Sequence, residues 1–168
     1  MNNHIAIICS EFNKKLVESL YKKAEEEFKK NSHFFSAHYP ECHLKAIWVP
    51  GAGEIPLAVK WLIEKEQKIK TSSRSRSPIK STKEKSTSPK LLGVLALGVV
   101  IKGQTGHYDF LNGFLQKALW DIQKKYPIPS LFSISLLENK EQFQKRIKRA
   151  KESMKALIQM IKLKQSFK

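Results

Sequence analysis

Hydrophobic residues along this chain come in two rhythms. Four short runs are apolar without helical period: IAIIC (Ile5 to Cys9), AIWV (Ala46 to Val49), LLGVLAL (Leu91 to Leu97) and LFSISL (Leu131 to Leu136). Such runs read as strands buried on both faces. Each is followed by apolar residues at helical spacing. Leu16, Leu20, Ala24 and Phe28 follow the first; Leu57, Trp61 and Leu62 the second; Leu111, Phe114, Leu115, Ala118, Leu119 and Ile122 the third. The fourth stripe, Phe143, Ile147, Met154, Leu157, Ile158 and Ile161, is the clearest, with Asn139 and Gln142 placed as a cap pair at its start. Strand and helix alternating four times predict right-handed crossovers and an α/β three-layer sandwich with a mainly parallel four-stranded sheet. Ligands of such sheets bind beyond the carboxyl ends of the strands, so the loops after each strand are where chemistry is expected.

The stretch from Gln67 to Lys90 breaks this pattern, being built from Ser, Thr, Lys, Arg and Pro. It is expected to be a disordered basic insert within a single domain spanning residues 1–168. It lies between the second helix and third strand, at the end of the sheet opposite the expected ligand site. The formal charge of +16 concentrates here, with +7, and in Lys140 to Lys168, with +8. The rest of the chain is nearly neutral, so nucleic acid is an unlikely partner except through the insert. Two cysteines, Cys9 and Cys42, fit neither a disulfide framework nor a metal knuckle, and point to a reducing compartment. The start, MNNHIAIICSEFN, has no basic leader, and no apolar run is long enough to span a bilayer; a cytoplasmic protein is expected.

Three post-strand loops carry candidate chemistry. In CSEFN, Phe12 either packs under the first helix or stacks on a flat heterocycle. In VPGAGEIP, Gly51 and Gly53 permit a tight turn; Glu54 either favours a helix start as any acid does, or hydrogen-bonds a polar ligand ring. Pro56 stands where a dinucleotide fingerprint needs its third glycine, and no P-loop lysine is present. In GVVIKGQTGHYDF, Gly103, Gln104, Thr105 and Gly106 are suited to a nest of backbone donors for phosphate, with His107 beside it as a proton carrier near neutral pH. After the fourth strand, Arg146 lies among Lys145, Lys148 and Arg149; any of these can be a solvated helix face, but arginine suits phosphate best.

Taken in order, IAIICSEFN, VPGAGEIP and LGVVIKGQTGHYDF resemble the signature of the lumazine synthase family, and the similarity reaches through SLFSISLLENKEQFQKR. The resemblance implies a flavodoxin-like fold, a homo-oligomer, pentameric or a shell of pentamers, with active sites between subunits, and no metal or redox cofactor. It implies small-molecule substrates: 5-amino-6-ribitylaminouracil condensing with 3,4-dihydroxy-2-butanone 4-phosphate to give 6,7-dimethyl-8-ribityllumazine in riboflavin synthesis. By the same resemblance Phe12 stacks on the pyrimidine, Ala52, Gly53 and Glu54 line its pocket, and Val99, Val100 and Ile101 stand opposite. Gln104 and Thr105 bind the sugar phosphate, His107 transfers protons, and a neighbouring chain contributes Phe132 and Arg146, the latter holding phosphate.

Three features depart from the family. Gly53 stands where an aromatic is usual. IKRAKESMKAL replaces a Gly- and Lys-rich hinge after Arg146, so an uninterrupted last helix is expected. The chain starts almost at the first strand, without the extension that pairs with a neighbour's sheet, which points to isolated pentamers. Two other readings stay open: a noncatalytic scaffold of the same fold whose insert holds RNA or another polyanion, and a zinc site from His33, His38, Cys42 and His43.

Overall fold

The computed structural model describes residues 3–72, 90–103 and 107–167, without the side chains of 68–72, 107 and 109. Strands β1 (His4–Ser10), β2 (His43–Val49), β3 (Leu91–Ile101) and β4 (Ser130–Leu137) form one parallel sheet in the order β2-β1-β3-β4. The fold is therefore the expected α/β sandwich. Helices α1 (Lys14–Lys30), α2 (Ser32–His38), α3 (Ile55–Ser72), α4 (His107–Lys125), α5 (Phe143–Arg146) and α6 (Lys148–Ser166) complete it.

Strand alternation divides the core in two. Ile5, Ile7 and Cys9 of β1, with Leu95, Leu97 and Val99 of β3, pack against Val17, Leu20 and Ala24 of α1 and Met154, Leu157, Ile158 and Ile161 of α6. Ala6 and Ile8, with Val94 and Ala96, meet Ile55, Val59 and Ile63 of α3 and Leu115, Leu119 and Ile122 of α4. Two glycines let β3 sit this close to its neighbours. A Cβ on Gly93 would approach Leu157 Cδ1 to 2.9 Å, and one on Gly98 would approach Ile134 Cγ2 to 3.3 Å.

Several sequence expectations are corrected. α3 runs through Gln67 to Ser72, because Gln67, Lys68 and Lys70 carry a helix well and the segment's prolines come only beyond it; residues 73–89 of the expected insert lie outside the described residues. Leu57, Trp61 and Phe114, read by their helical spacing, do lie on helices but are exposed, since the faces of α3 and α4 that meet the sheet centre on Val59, Ile63, Leu115 and Leu119. The last helix is not one piece: α5 ends at Arg146 and α6 begins at Lys148, with Ile147 a turn of helical dihedrals between them. The cap pair stands: Gln142 N–H donates to Asn139 Oδ1 at 3.2 Å, and Glu138 N–H to Gln142 Oε1 at 3.0 Å. The short helix α2 was not anticipated.

Candidate active site

The order β2-β1-β3-β4 makes the chain leave β1 toward one side and β3 toward the other, which opens a crevice at their carboxyl ends. The loop after β1 is fixed from both flanks. Glu11 N–H donates to Val49 O at 2.7 Å and Phe12 N–H to Pro50 O at 3.0 Å, tying it to the end of β2. Asn13 ties it to β3. The β1–β3 ladder ends at the pair Cys9 and Leu97, so the carbonyl of Val99 lies one step beyond it, and Asn13 Nδ2 donates to that oxygen at 2.9 Å. Asn13 adopts φ 58°, a left-handed conformation that asparagine tolerates better than most residues, and it turns the chain directly into α1.

Phe12 is thereby held out of the core. It is 66% exposed, so the packed alternative is excluded, and its ring forms one wall of a cavity of ≈ 730 Å³. The same cavity takes its floor from the turn after β2, where Gly51 leads into a single 3-10 turn, Ala52–Glu54, and then into α3. A Cβ on Gly51 would stand 2.9 Å from Glu54 Oε2, the end of a flexible side chain, because the carboxylate folds back over the bare backbone. A Cβ on Gly53 would meet only Leu111 Cδ2 at 3.6 Å, an ordinary contact, so the space beside Gly53 is open. Val99, Val100 and Ile101 supply the opposite wall.

Seven of the expected site residues thus converge: Phe12, Ala52, Gly53, Glu54, Val99, Val100 and Ile101. Gln104 and Thr105 lie outside the described residues, and of His107 only the backbone is described, where it opens α4. Phe132 and Arg146 do not line this cavity. Phe132 lies on β4, and Arg146 ends α5, half-buried. Sequence reasoning missed Tyr108, Phe110, Leu111 and Phe114, which close the cavity from α4. Phe110 and Phe114 stack nearly parallel, 7° between planes with centroids 6.2 Å apart. Their spacing of four residues was the available signal. His33, His38, Cys42 and His43 are not gathered into a metal-holding group, which removes the zinc reading. Burial alone pushes the Cys9 thiol up to about 12, consistent with a packing residue rather than a nucleophile.

A doubly wound parallel sheet with a mostly apolar, aromatic-walled crevice at the carboxyl ends of β1 and β3, one carboxylate at its rim, is the arrangement in which α/β proteins hold small-molecule ligands. The 6,7-dimethyl-8-ribityllumazine synthase family matches residues 2–72 and 79–165. The chain belongs to that family, whose members are transferases. A 6,7-dimethyl-8-ribityllumazine synthase of Helicobacter acinonychis is 29% identical over 172 aligned positions, covering 99% of this chain and 92% of the relative. One of Leuconostoc mesenteroides subsp. mesenteroides is 28% identical over 145, covering 86% and 74%. Residues 73–78, at the start of the basic segment, fall between the two matched stretches.

Proposed function

We propose that this chain catalyses the reaction for which its relatives are named, condensing 5-amino-6-ribitylaminouracil with 3,4-dihydroxy-2-butanone 4-phosphate to 6,7-dimethyl-8-ribityllumazine, with release of phosphate and water. One observation carries the reading: the family match coincides with a crevice in which Phe12, Ala52 to Glu54 and Val99 to Ile101 meet. Phe12 stacks on the pyrimidine, and Glu54 accepts hydrogen bonds from its ring N–H groups. Gln104 and Thr105 hold the sugar phosphate. His107 relays the protons lost and gained as amine and carbonyl become an imine, work that suits a group titrating near neutrality. Arg146 of a neighbouring subunit stabilises the departing phosphate, and Phe132 of that neighbour closes the pocket.

The assembly is a homo-oligomer, a pentamer, in the cytoplasm. Large apolar side chains left exposed on α3 and α4, Leu57, Trp61, Phe110, Phe114 and Trp120, support an apolar subunit interface. Among the described residues no helix is long and apolar enough to cross a membrane. Purified protein given both substrates is expected to form the lumazine, with turnover falling by orders of magnitude in His107→Ala and Arg146→Ala. Unchanged turnover when both substitutions are combined rejects the assigned residues, and no product from the wild-type chain rejects the function.

A further inference from the structure

The two long helices on one face of the sheet treat charge differently. α1 answers its lysines with acids one turn away: Lys23 Nζ holds Glu26 at 2.8 Å and Lys29 Nζ holds Glu25 at 2.9 Å. α6 has a single acid, Glu152, which makes no ion pair among the described residues. Its buried residues, Ala150, Met154, Leu157, Ile158 and Ile161, pack against the sheet and α1. Beside that buried face Lys148, Lys151, Lys155 and Lys162 recur at steps of three, four and seven, which sets them in one stripe along the helix. With a rise of about 1.5 Å per residue, the stripe is roughly 21 Å long.

Two sets of contacts show which way the stripe faces. Lys162 Nζ lies 3.5 Å from Asn31 Oδ1, at the junction of α1 and α2, and 4.7 Å from the centre of the Phe34 ring. The Lys23 hydrogen bond holds the Glu26 carboxyl below the usual carboxylate range, and Lys30 and Lys151 add to the pull, so these four groups lie together. The stripe therefore lines the seam where α6 packs beside α1, and Lys23 and Lys30 join it from α1. Six ammonium groups gather there against one carboxylate, Glu26, which Lys23 already binds. Lys30, Lys148, Lys151 and Lys155 make no ion pair among the described residues. Like charges one turn apart repel, so the seam is stabilised by any anion long enough to span it.

We infer that the seam between α1 and α6 binds the phosphate backbone of a nucleic-acid duplex without reading its sequence; the inference is independent of the catalysis proposed above. Phosphates follow one another at about 3.4 Å of axial rise along one strand of a duplex, so the stripe matches the span of roughly six. Lysines meet them as mobile point charges. Holding unpaired bases needs a free aromatic face, and the ring beside the stripe, Phe34, lies under Lys162 and stacks on His38. A lipid surface needs large apolar side chains among the cations, whereas the exposed Met160 and Leu163 of α6 fall outside the stripe. The seam shares no residue with the pocket and lies across the sheet from α4, which closes that pocket.

The test titrates the full-length protein with a DNA duplex of about 24 base pairs, and with an RNA duplex of the same sequence, between about 50 and 200 mM salt. The logarithm of the binding constant should fall against the logarithm of salt concentration with a slope of about −4 to −5. Lys148→Gln, Lys151→Gln and Lys155→Gln combined keep helix propensity, and should flatten the slope by about 2–3 and weaken binding at least roughly 10-fold. Arginine at the same three positions restores both, because it keeps the charge. A control combines Lys80→Gln, Lys83→Gln and Lys85→Gln, an equal loss of charge in the stretch to which the sequence alone assigns any polyanion. Loss confined to the seam variant upholds the inference, and the more tightly bound duplex identifies the source of the backbone. A loss as large in the control, or no salt-dependent binding by wild type, overturns it. Tighter binding to single-stranded RNA or to phosphatidylserine vesicles than to either duplex also overturns it. If the triple variant does not fold, the exposed Lys155→Gln must flatten the slope by about one, and an unchanged slope overturns the inference.

Discussion

Replacing Asn13 by alanine tests how the loop bearing Phe12 is held in place. Two effects combine. The carbonyl of Val99 lies beyond the end of the β1–β3 ladder, in a residue 1% exposed, and receives the Asn13 amide at 2.9 Å. Leaving a buried acceptor unsatisfied costs about 1–3 kcal/mol. Alanine must also take φ 58°, the left-handed region, which costs a residue with a Cβ about 1–2 kcal/mol. The sum is about 2–5 kcal/mol of destabilisation. Asn13→Gly separates the terms, because glycine accepts the dihedral and loses only the hydrogen bond. Urea denaturation at one fixed protein concentration measures both, since the proposed assembly would make stability concentration-dependent. The expected order is wild type, then glycine, then alanine. The same variants should raise KM for the pyrimidine, because Phe12 precedes the freed residue. Both variants lying within about 0.5 kcal/mol of wild type, the range of an ordinary surface change, would refute the reasoning.

Phe12→Ala removes a 66% exposed ring, so stability should hardly move, while KM for the pyrimidine rises roughly 2- to 10-fold, as for loss of one aromatic stack; a KM within error of wild type would show that the ring does not touch substrate. Gly93→Ala forces a Cβ to 2.9 Å from Leu157 Cδ1 and should cost about 1–3 kcal/mol, whereas Gly53→Ala, facing open cavity, should cost far less; equal denaturation midpoints contradict the packing described. Burial raises both the Cys9 and Cys42 thiols from 9.0 to about 12. A raised folded-state value means that the native state keeps its protons when the unfolded chain has lost them. The contribution is full below pH 9.0 and is lost as pH climbs toward about 12. Denaturation between those limits should show a decline that is shallower in Cys9→Ala with Cys42→Ala; identical slopes would count against it.

The layer architecture was legible because buried parallel strands announce themselves as unbroken apolar runs, and β1 and β3 are buried along nearly their whole length. The pocket was legible to the extent that it is made of loops that follow those strands. What escaped has physical reasons. Trp61 and Phe114 are apolar and helically spaced, yet face outward, because periodicity identifies a stripe without telling which surface covers it. α3 outlasts its apolar stripe because lysine and glutamate propagate a helix that no longer packs. Asn13 was quoted within a motif, but its role needs the ends of two strands to be known. Lys151 and Lys155 were cations among several until α6, packed beside α1, set them along one seam.

The proposed completion of the site by a neighbour makes a demand that no single-chain site makes. Subunits carrying His107→Ala and subunits carrying Arg146→Ala should each form inactive oligomers, and dissociating and reassembling them together should restore turnover, because some boundaries in the hybrids then hold both native side chains. Hybrids verified by native mass spectrometry that stay as inactive as their parents would contradict the account.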